Sequence, residues 1–146
     1  MSLFAIRPAV ADDHALIIDS FWRDFRKSVY ARWKSGDGRE GMTVQAMRQL
    51  IIDLLARPDW KTVIAEMPEV PGEICGWMTY RSSCEVAWIS VKMIYRENGC
   101  ARAMLAHADV KPGVVACAFL DPWFADVARK RGYKLLFRPF VTSEAA

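Results

Sequence analysis

Val91-Lys92-Met93-Ile94-Tyr95-Arg96-Glu97-Asn98-Gly99-Cys100-Ala101-Arg102-Ala103-Met104-Leu105 is the stretch on which the fold turns. Its first residues close an apolar, strand-like run, and Gly99 to Ala108 is rich in Ala, Leu and Met and reads as a helix. A strand that passes into a helix through a loop of small residues lines up several backbone N–H groups along one concavity. Those groups and the positive end of the helix dipole suit a phosphate or pyrophosphate. Gly99 lets the backbone approach an anion closely, Ala101 keeps the first turn uncrowded, and Arg96 and Arg102 can add charge. The same residues also fit a plain strand-to-helix connection with one glycine for its turn, because short glycine motifs often match by chance.

Working outward, three strand-like runs precede the helix: Trp60 to Met67, Ile74 to Arg81 and Glu85 to Lys92. Pro-Glu-Val-Pro-Gly separates the first pair and Ser82-Ser83 the second, which predicts an antiparallel meander. Further upstream, Leu3 to Arg7 reads as an opening strand before Pro8. Asp12 or Asp13 can cap a helix whose inner face is Ala15, Ile18, Phe21, Trp22, Phe25 and Val29. Lys34 to Arg39 is a polar, glycine-containing loop. Thr43 then caps a second helix with Ala46, Met47, Leu50, Ile51, Leu54 and Leu55 inward, and Pro58 ends it. Downstream, Val114 to Leu120 is a central strand, Asp121-Pro122 opens a helix that Gly132 closes, and Tyr133 to Val141 is a final strand. The order βαα-βββ-αβαβ predicts an α/β fold: one domain over residues 1–146, with a mixed, mostly antiparallel central sheet flanked by helices.

Bulk properties narrow the function. A chain of 146 residues that is 53% hydrophobic can build one core, which excludes disorder except at the ends. The net charge of +3 is spread along the chain, so direct nucleic-acid binding is not indicated. No apolar run is long enough for a membrane span, and the opening residues do not read as a signal peptide. Four cysteines without CxxC spacing and only two histidines, His14 and His107, argue for reduced, buried thiols in a cytoplasmic protein rather than a zinc site. Cys100 sits at a helix N-terminus, which favours its thiolate, but no histidine is placed to assist it as a nucleophile. Trp22, Phe25, Tyr30 and Trp33 at helical spacing read as core, and Arg129, Lys130 and Arg131 as a solvated helix end.

Arg96-x-x-Gly99-x-Ala101 followed by Arg-Ala-Met-Leu, after a strand ending in Val-Lys, resembles the acyl-CoA signature of the GNAT superfamily of N-acetyltransferases. Asp121 to Tyr133 is similar to the closing helix of that family, and Ile6-Arg7-Pro8-Ala9 to its opening strand. The resemblance covers essentially the whole chain, least so Phe21 to Met42. It implies acetyl-CoA or CoA laid in a cleft between Ile89–Met93 and Val114–Leu120. Main-chain groups of Val91 and Met93 would pair with the pantetheine arm, and the pyrophosphate would sit on the N–H groups of Asn98 to Arg102. Glu97, Cys100 and Asp121 complete the expected cofactor contacts. The acceptor would be an amine of a small molecule or a protein, walled in part by the Phe21–Met42 region.

Glu85 is the candidate base. It lies eleven residues before Arg96, where some family members place a glutamate, and its strand parity matches Ala87, Ile89 and Val91. On an apolar face its pKa would be raised, which suits a base; the alternative is a solvated carboxylate at a strand end. The N–H of Val91 is the family-like oxyanion donor. Three positions depart from the family pattern. The usual sulfur-donating tyrosine falls on Ala128, the usual asparagine on Asp121, and Ala116 stands where other members carry a glutamate. Tyr80, Tyr95 or a water would then serve, or the thiolate would leave unaided, or the chain would bind CoA without turnover. A CoA-binding interaction module and a phage-type accessory protein are therefore the competing expectations. A homodimer through the final strand is a further one.

Overall fold

A computed structural model describes residues 3–35, 44–70 and 72–143, the side chains of 33–35 excepted. Six strands form one sheet in the order β1-β2-β3-β4-β5-β6: Ala5–Pro8, Lys61–Glu66, Ile74–Ser82, Glu85–Val91, Val114–Cys117 and Lys134–Phe137. The first four pair antiparallel, and β4 with β5 and β5 with β6 pair parallel. Helices α1 (His14–Phe25), α2 (Val29–Ser35), α3 (Val44–Ala56), α4 (Cys100–His107) and α5 (Pro122–Lys130) make the order βααα-βββ-αβαβ, in which α2 is one helix more than expected before β2. Pro8 is tolerated in β1 because that strand is an edge and its missing N–H costs no ladder bond.

Two cores lie on opposite faces of the sheet. On one, Met104 and Leu105 of α4 and Phe124 and Ala128 of α5 pack on Val63, Met78, Ile89 and Val91. On the other, Ile17, Phe21 and Phe25 of α1, Tyr30 of α2 and Met47, Ile51 and Leu54 of α3 pack on Ile64, Trp77 and Trp88. The buried stripe of α1 is thus Ile17, Ser20, Phe21 and Phe25, a four-residue step; Ala15, expected inside, is exposed. Ala46 of α3 is likewise exposed. Val29 does not continue α1, because the chain turns at Arg26–Ser28. Buried Ser28 there donates to the Phe25 carbonyl (2.7 Å) and accepts the N–H of Ala31 (3.1 Å), capping α2. Of the expected loop Lys34 to Arg39, Lys34 and Ser35 end α2. The remainder, the Thr43 cap and the Trp33 side chain lie outside the described residues.

The fifth and sixth strands are shorter than expected. Ala118 to Leu120 leave the β5 ladder: the Phe119 N–H donates to the Ala87 carbonyl, and the Val29 N–H to that of Leu120. Phe119 then packs edge-on against Phe21 (5.1 Å) and against Tyr30 (4.8 Å), so the end of β5 is drawn onto α1 and α2. After β6 the chain turns, and the Arg57 guanidinium bonds the Thr142 carbonyl. Among the described residues no helix is long and apolar enough to cross a membrane, and no cluster of side chains could hold a metal ion.

Candidate functional site

β4 and β5 are paired only at their beginnings, Glu85 opposite Ala116 and Val86 opposite Cys117, and they part beyond the Ala87–Phe119 bond. Ala87 directs its carbonyl toward β5, and the Lys92 N–H donates to the Cys75 carbonyl, so Ser90 and Lys92 turn their backbone groups to β3 and the intervening Ile89 and Val91 turn theirs away. Their backbone groups therefore face the widening gap rather than β3. At the wide end a cleft of about 1010 Å³ runs between α4 and α5, at the upper end of the range for small-molecule sites (about 300–1,000 Å³). Val91, the whole of Arg96 to Arg102, Trp123, Ala128 and Tyr133 are among the residues that line it.

The loop joins β4 to α4 through a 3-10 turn and Gly99. Gly99 stands before the first residue of α4 with φ of 87°, a left-handed conformation that costs glycine nothing, and an added Cβ there would meet only open space. Glu97 is also left-handed (φ 70°) although it carries a side chain. Arg96 is held rather than free: its Nε donates to the Val91 carbonyl (3.2 Å), and its guanidinium lies 4.2 Å above the Trp123 ring. Arg7, Arg57 and Arg81 each pair with a carboxylate, whereas Arg96, Arg102 and Arg131 have no ion-pair partner among the described residues. Three cations without a carboxylate partner thus line one cleft beside a helix N-terminus, an arrangement of the kind that suits an anion.

α4 is pressed close to the sheet by a small residue on β3. A Cβ on Gly76 would stand 2.6 Å from the Ser90 carbonyl oxygen and 3.2 Å from both Cys100 Sγ and Met104 Cε. Cys100 is buried beneath the loop, and burial pushes its thiol up to about 12. That corrects the expected low-pKa thiol: with the side chain packed inward, desolvation of a thiolate outweighs the dipole.

Met93 and Glu85 also stand differently from expectation. Met93 lies in a 3-10 turn after β4, 76% exposed, and its carbonyl accepts the N–H of Arg96, so it is not placed to pair as a strand residue. Glu85 sits at the closed end of β4, where β5 is still paired, and it does not line the cleft. Thr79 pairs with Trp88 and Tyr80 with Val86, so Ala87 is an extra residue, a bulge that breaks the parity linking Glu85 to Ile89 and Val91. The Glu85 carboxylate accepts from Arg81 (2.5 Å) and Ser82 (2.9 Å), and the Arg81 guanidinium holds its pKa below the ordinary range, not above it. Asp121 precedes α5 in an extended conformation with Pro122 at the first position; its side chain makes no cap bond and does not line the cleft.

Ala128 is buried in the cleft wall and presents a methyl group there. Of the tyrosines considered as donors, Tyr95 lines the cleft but donates to Glu73 (2.9 Å), and Tyr80 does not line it. Sequence reasoning missed Trp123 and took Lys130 and Arg131 as a solvated helix end. Both basic residues line the cleft, and Lys130 also pairs with Asp126 at 3.2 Å. The aromatic immediately after Asp121-Pro122 was the available signal for Trp123.

No protein-family model and no curated protein matches the sequence. Solved structures do. A protein from Clostridium difficile 630 described as a possible acetyltransferase superposes with a TM-score of 0.52 at 14% identity, over 94% of this chain and 95% of that one. A provisionally named acetyl transferase from Pyrococcus furiosus gives 0.50 at 14% identity, over 92% and 81%. Spermidine N-acetyltransferase from Vibrio cholerae, solved in complex with CoA and spermine, gives 0.46 at 12%, over 73% and 61%. The architecture is that of the GNAT-type acetyltransferases, as the sequence motifs implied.

Proposed function

We propose that this chain binds acetyl-CoA in the cleft between α4 and α5 and transfers the acetyl group to a primary amine of a small molecule or protein. The observation that carries the reading is the convergence of the three unpaired arginines on a helix N-terminus at the mouth of diverging strands. The residues fit a pyrophosphate: Asn98 to Arg102 line the cleft at the start of α4, where the first N–H groups of a helix lack intrahelical partners, and Arg96 is pre-oriented by Val91 and Trp123. The thioester supplies the activated acetyl group. The protein contributes a strand edge for the pantetheine amides, at the backbone groups of Ile89 and the N–H of Val91, and a fixed geometry for attack. Positioning alone can account for several kcal/mol of the acceleration.

Two measurements test it on the full chain: calorimetric titration with CoA, and CoA release from acetyl-CoA across a broad amine panel at pH 8. Micromolar binding together with amine-dependent release supports the reading. Binding without release from any amine would assign the chain instead to a CoA-binding module, for which Ala128 in the cleft wall would be the structural ground. Failure to bind would remove the cofactor reading altogether.

A further inference from the structure

Acetyl transfer to an amine requires a group that accepts the nitrogen's proton, and Glu85 is tied to Arg81 at the closed end of the strands. The opposite layer of the fold holds a carboxyl in a more suitable place. Asp24 lies in the last turn of α1, the face of which packs on Trp88 through Phe21 (4.7 Å between rings). Its Oδ2 is buried, and no protein donor reaches that atom; the Nε1 of neighbouring Trp88 is buried and unpaired as well. Around the carboxyl stand Ser90 and Trp88 from β4, Asp121 from the end of the β5 segment and Arg96 from the cofactor loop. Asp24 thus lies beside β4 on the face opposite the cleft, with Asp121 of the β5–α5 junction and Arg96 of the cofactor loop within electrostatic reach.

We propose that Asp24 is the general base of the transfer, taking the proton from the acceptor amine as its nitrogen attacks the thioester carbonyl; the proposal rests on the acetyl-transfer reading above. The C–N bond forms, the C–S bond breaks, and the sulfur leaves with the bonding pair. An acceptor that enters as an ammonium loses two protons, one ending on the CoA thiol and one in solvent, with the Asp24 carboxylate as the first acceptor. Burial suits the role, because it raises the Asp24 pKa above the ordinary carboxylate range. Ser90 opposes that rise by favouring the charged form, the Asp121 charge adds to it, and Arg96 and Trp88 oppose it.

The test compares wild type with Asp24→Asn, which is isosteric and removes a buried charge, in CoA binding and in pH profiles of CoA release. Asp24→Asn should retain its CoA Kd within about twofold, lose about 100-fold or more in kcat, and lose the acidic limb of kcat/KM. Ser90→Ala keeps the carboxyl but removes a group favouring its charge, so the limb should move to higher pH. An Asp24→Asn variant with kcat within threefold of wild type and the limb intact would overturn the proposal, as would a rise in KM alone or an unmoved limb in Ser90→Ala. A wild type that binds CoA and acetylates no amine would overturn this proposal together with the acetyl-transfer reading. An active Asp24→Asn overturns the base assignment only.

Discussion

Replacing Arg96 by Gln tests the cofactor loop most directly. The guanidinium is fixed by the Val91 carbonyl (3.2 Å) and the Trp123 ring (4.2 Å), so little side-chain entropy remains to be lost when an anion arrives. It forms no salt bridge among the described residues, so a phosphate need not displace a bound carboxylate. A charge-assisted hydrogen bond contributes about 1.5–3 kcal/mol, so Arg96→Gln should weaken CoA binding about 10- to 150-fold. Arg96→Lys keeps the charge but loses the flat stack on Trp123 and the Nε donor, and should fall between the two. Calorimetry with CoA at low and high salt reads both effects, and the wild-type Kd should rise more steeply with salt than that of Arg96→Gln. The folded state loses the hydrogen bond to Val91, about 1 kcal/mol, and the stack on Trp123, about 0.5–1 kcal/mol, so a thermal melt should fall by several degrees. A Kd for Arg96→Gln within twofold of wild type at low salt would refute the placement of the pyrophosphate beside this residue.

Glu85→Gln should reduce stability by about 1–3 kcal/mol, because Arg81, whose side chain is only 5% exposed, loses its closest partner, while CoA release stays within about twofold. A larger fall in rate at unchanged stability would restore Glu85 to the chemistry. Asp13 is held below the ordinary carboxylate range by hydrogen bonds from Arg7 (2.8 and 3.0 Å) and from the Val10 N–H (2.7 Å). A depressed folded pKa gives stability that is complete above the unfolded value near 3.9 and is lost as pH falls toward the folded one. Asp13→Asn should therefore flatten the acid limb of a urea-melt series. Gly76→Ala drives a Cβ to 2.6 Å from a backbone oxygen and should cost about 1–3 kcal/mol, with weaker CoA binding as α4 is displaced. In an aromatic-disulfide titration of native protein, exposed Cys84 should react and buried Cys75, Cys100 and Cys117 should not, so Cys84→Ser abolishes the fast phase.

Much of the fold was legible because its signals are local. The strand, loop and helix around Gly99 are consecutive in sequence, and a glycine before an Ala- and Leu-rich run specifies the helix start by itself. Periodicity placed α1, α3, α4 and α5 but not α2, and on the inner face of α1 it took Ala15 instead of Ile17, since both are apolar and only packing against Trp88 and Phe119 selects between them. The β4 bulge was not legible. Nothing in Val86-Ala87-Trp88 announces an extra residue, and the strand parity argument for Glu85 depended on there being none. Asp24 was equally hidden, because its surroundings come from β4, the β5–α5 junction and the loop, which are distant from α1 in the chain.

Charge compensation, more than residue type, separates scaffold from site along β4. At its closed end Arg57, Asp59, Arg81 and Glu85 form a continuous group in which cations and carboxylates meet one another: 2.6 Å for Arg57–Asp59, 3.7 Å for Arg81–Asp59 and 2.5 Å for Arg81–Glu85. Such a network lowers carboxylate pKa values and leaves little charge for a ligand, so it serves to join β3, β4 and the turn before β2. Six residues along, about 20 Å at strand rise, the same residue types are arranged the other way. Arg96 is oriented by a carbonyl and an indole rather than a carboxylate, and Asp24, with its Oδ2 buried, forms no salt bridge among the described residues. Uncompensated charges cost stability, which a fold sustains where they act on something outside itself. A single variant that supplies the missing partner, Trp123→Glu beside Arg96, should therefore stabilise the apo chain and weaken CoA binding together. Those two changes would be separable if the arginine were structural, and linked if its free charge is what holds the phosphate.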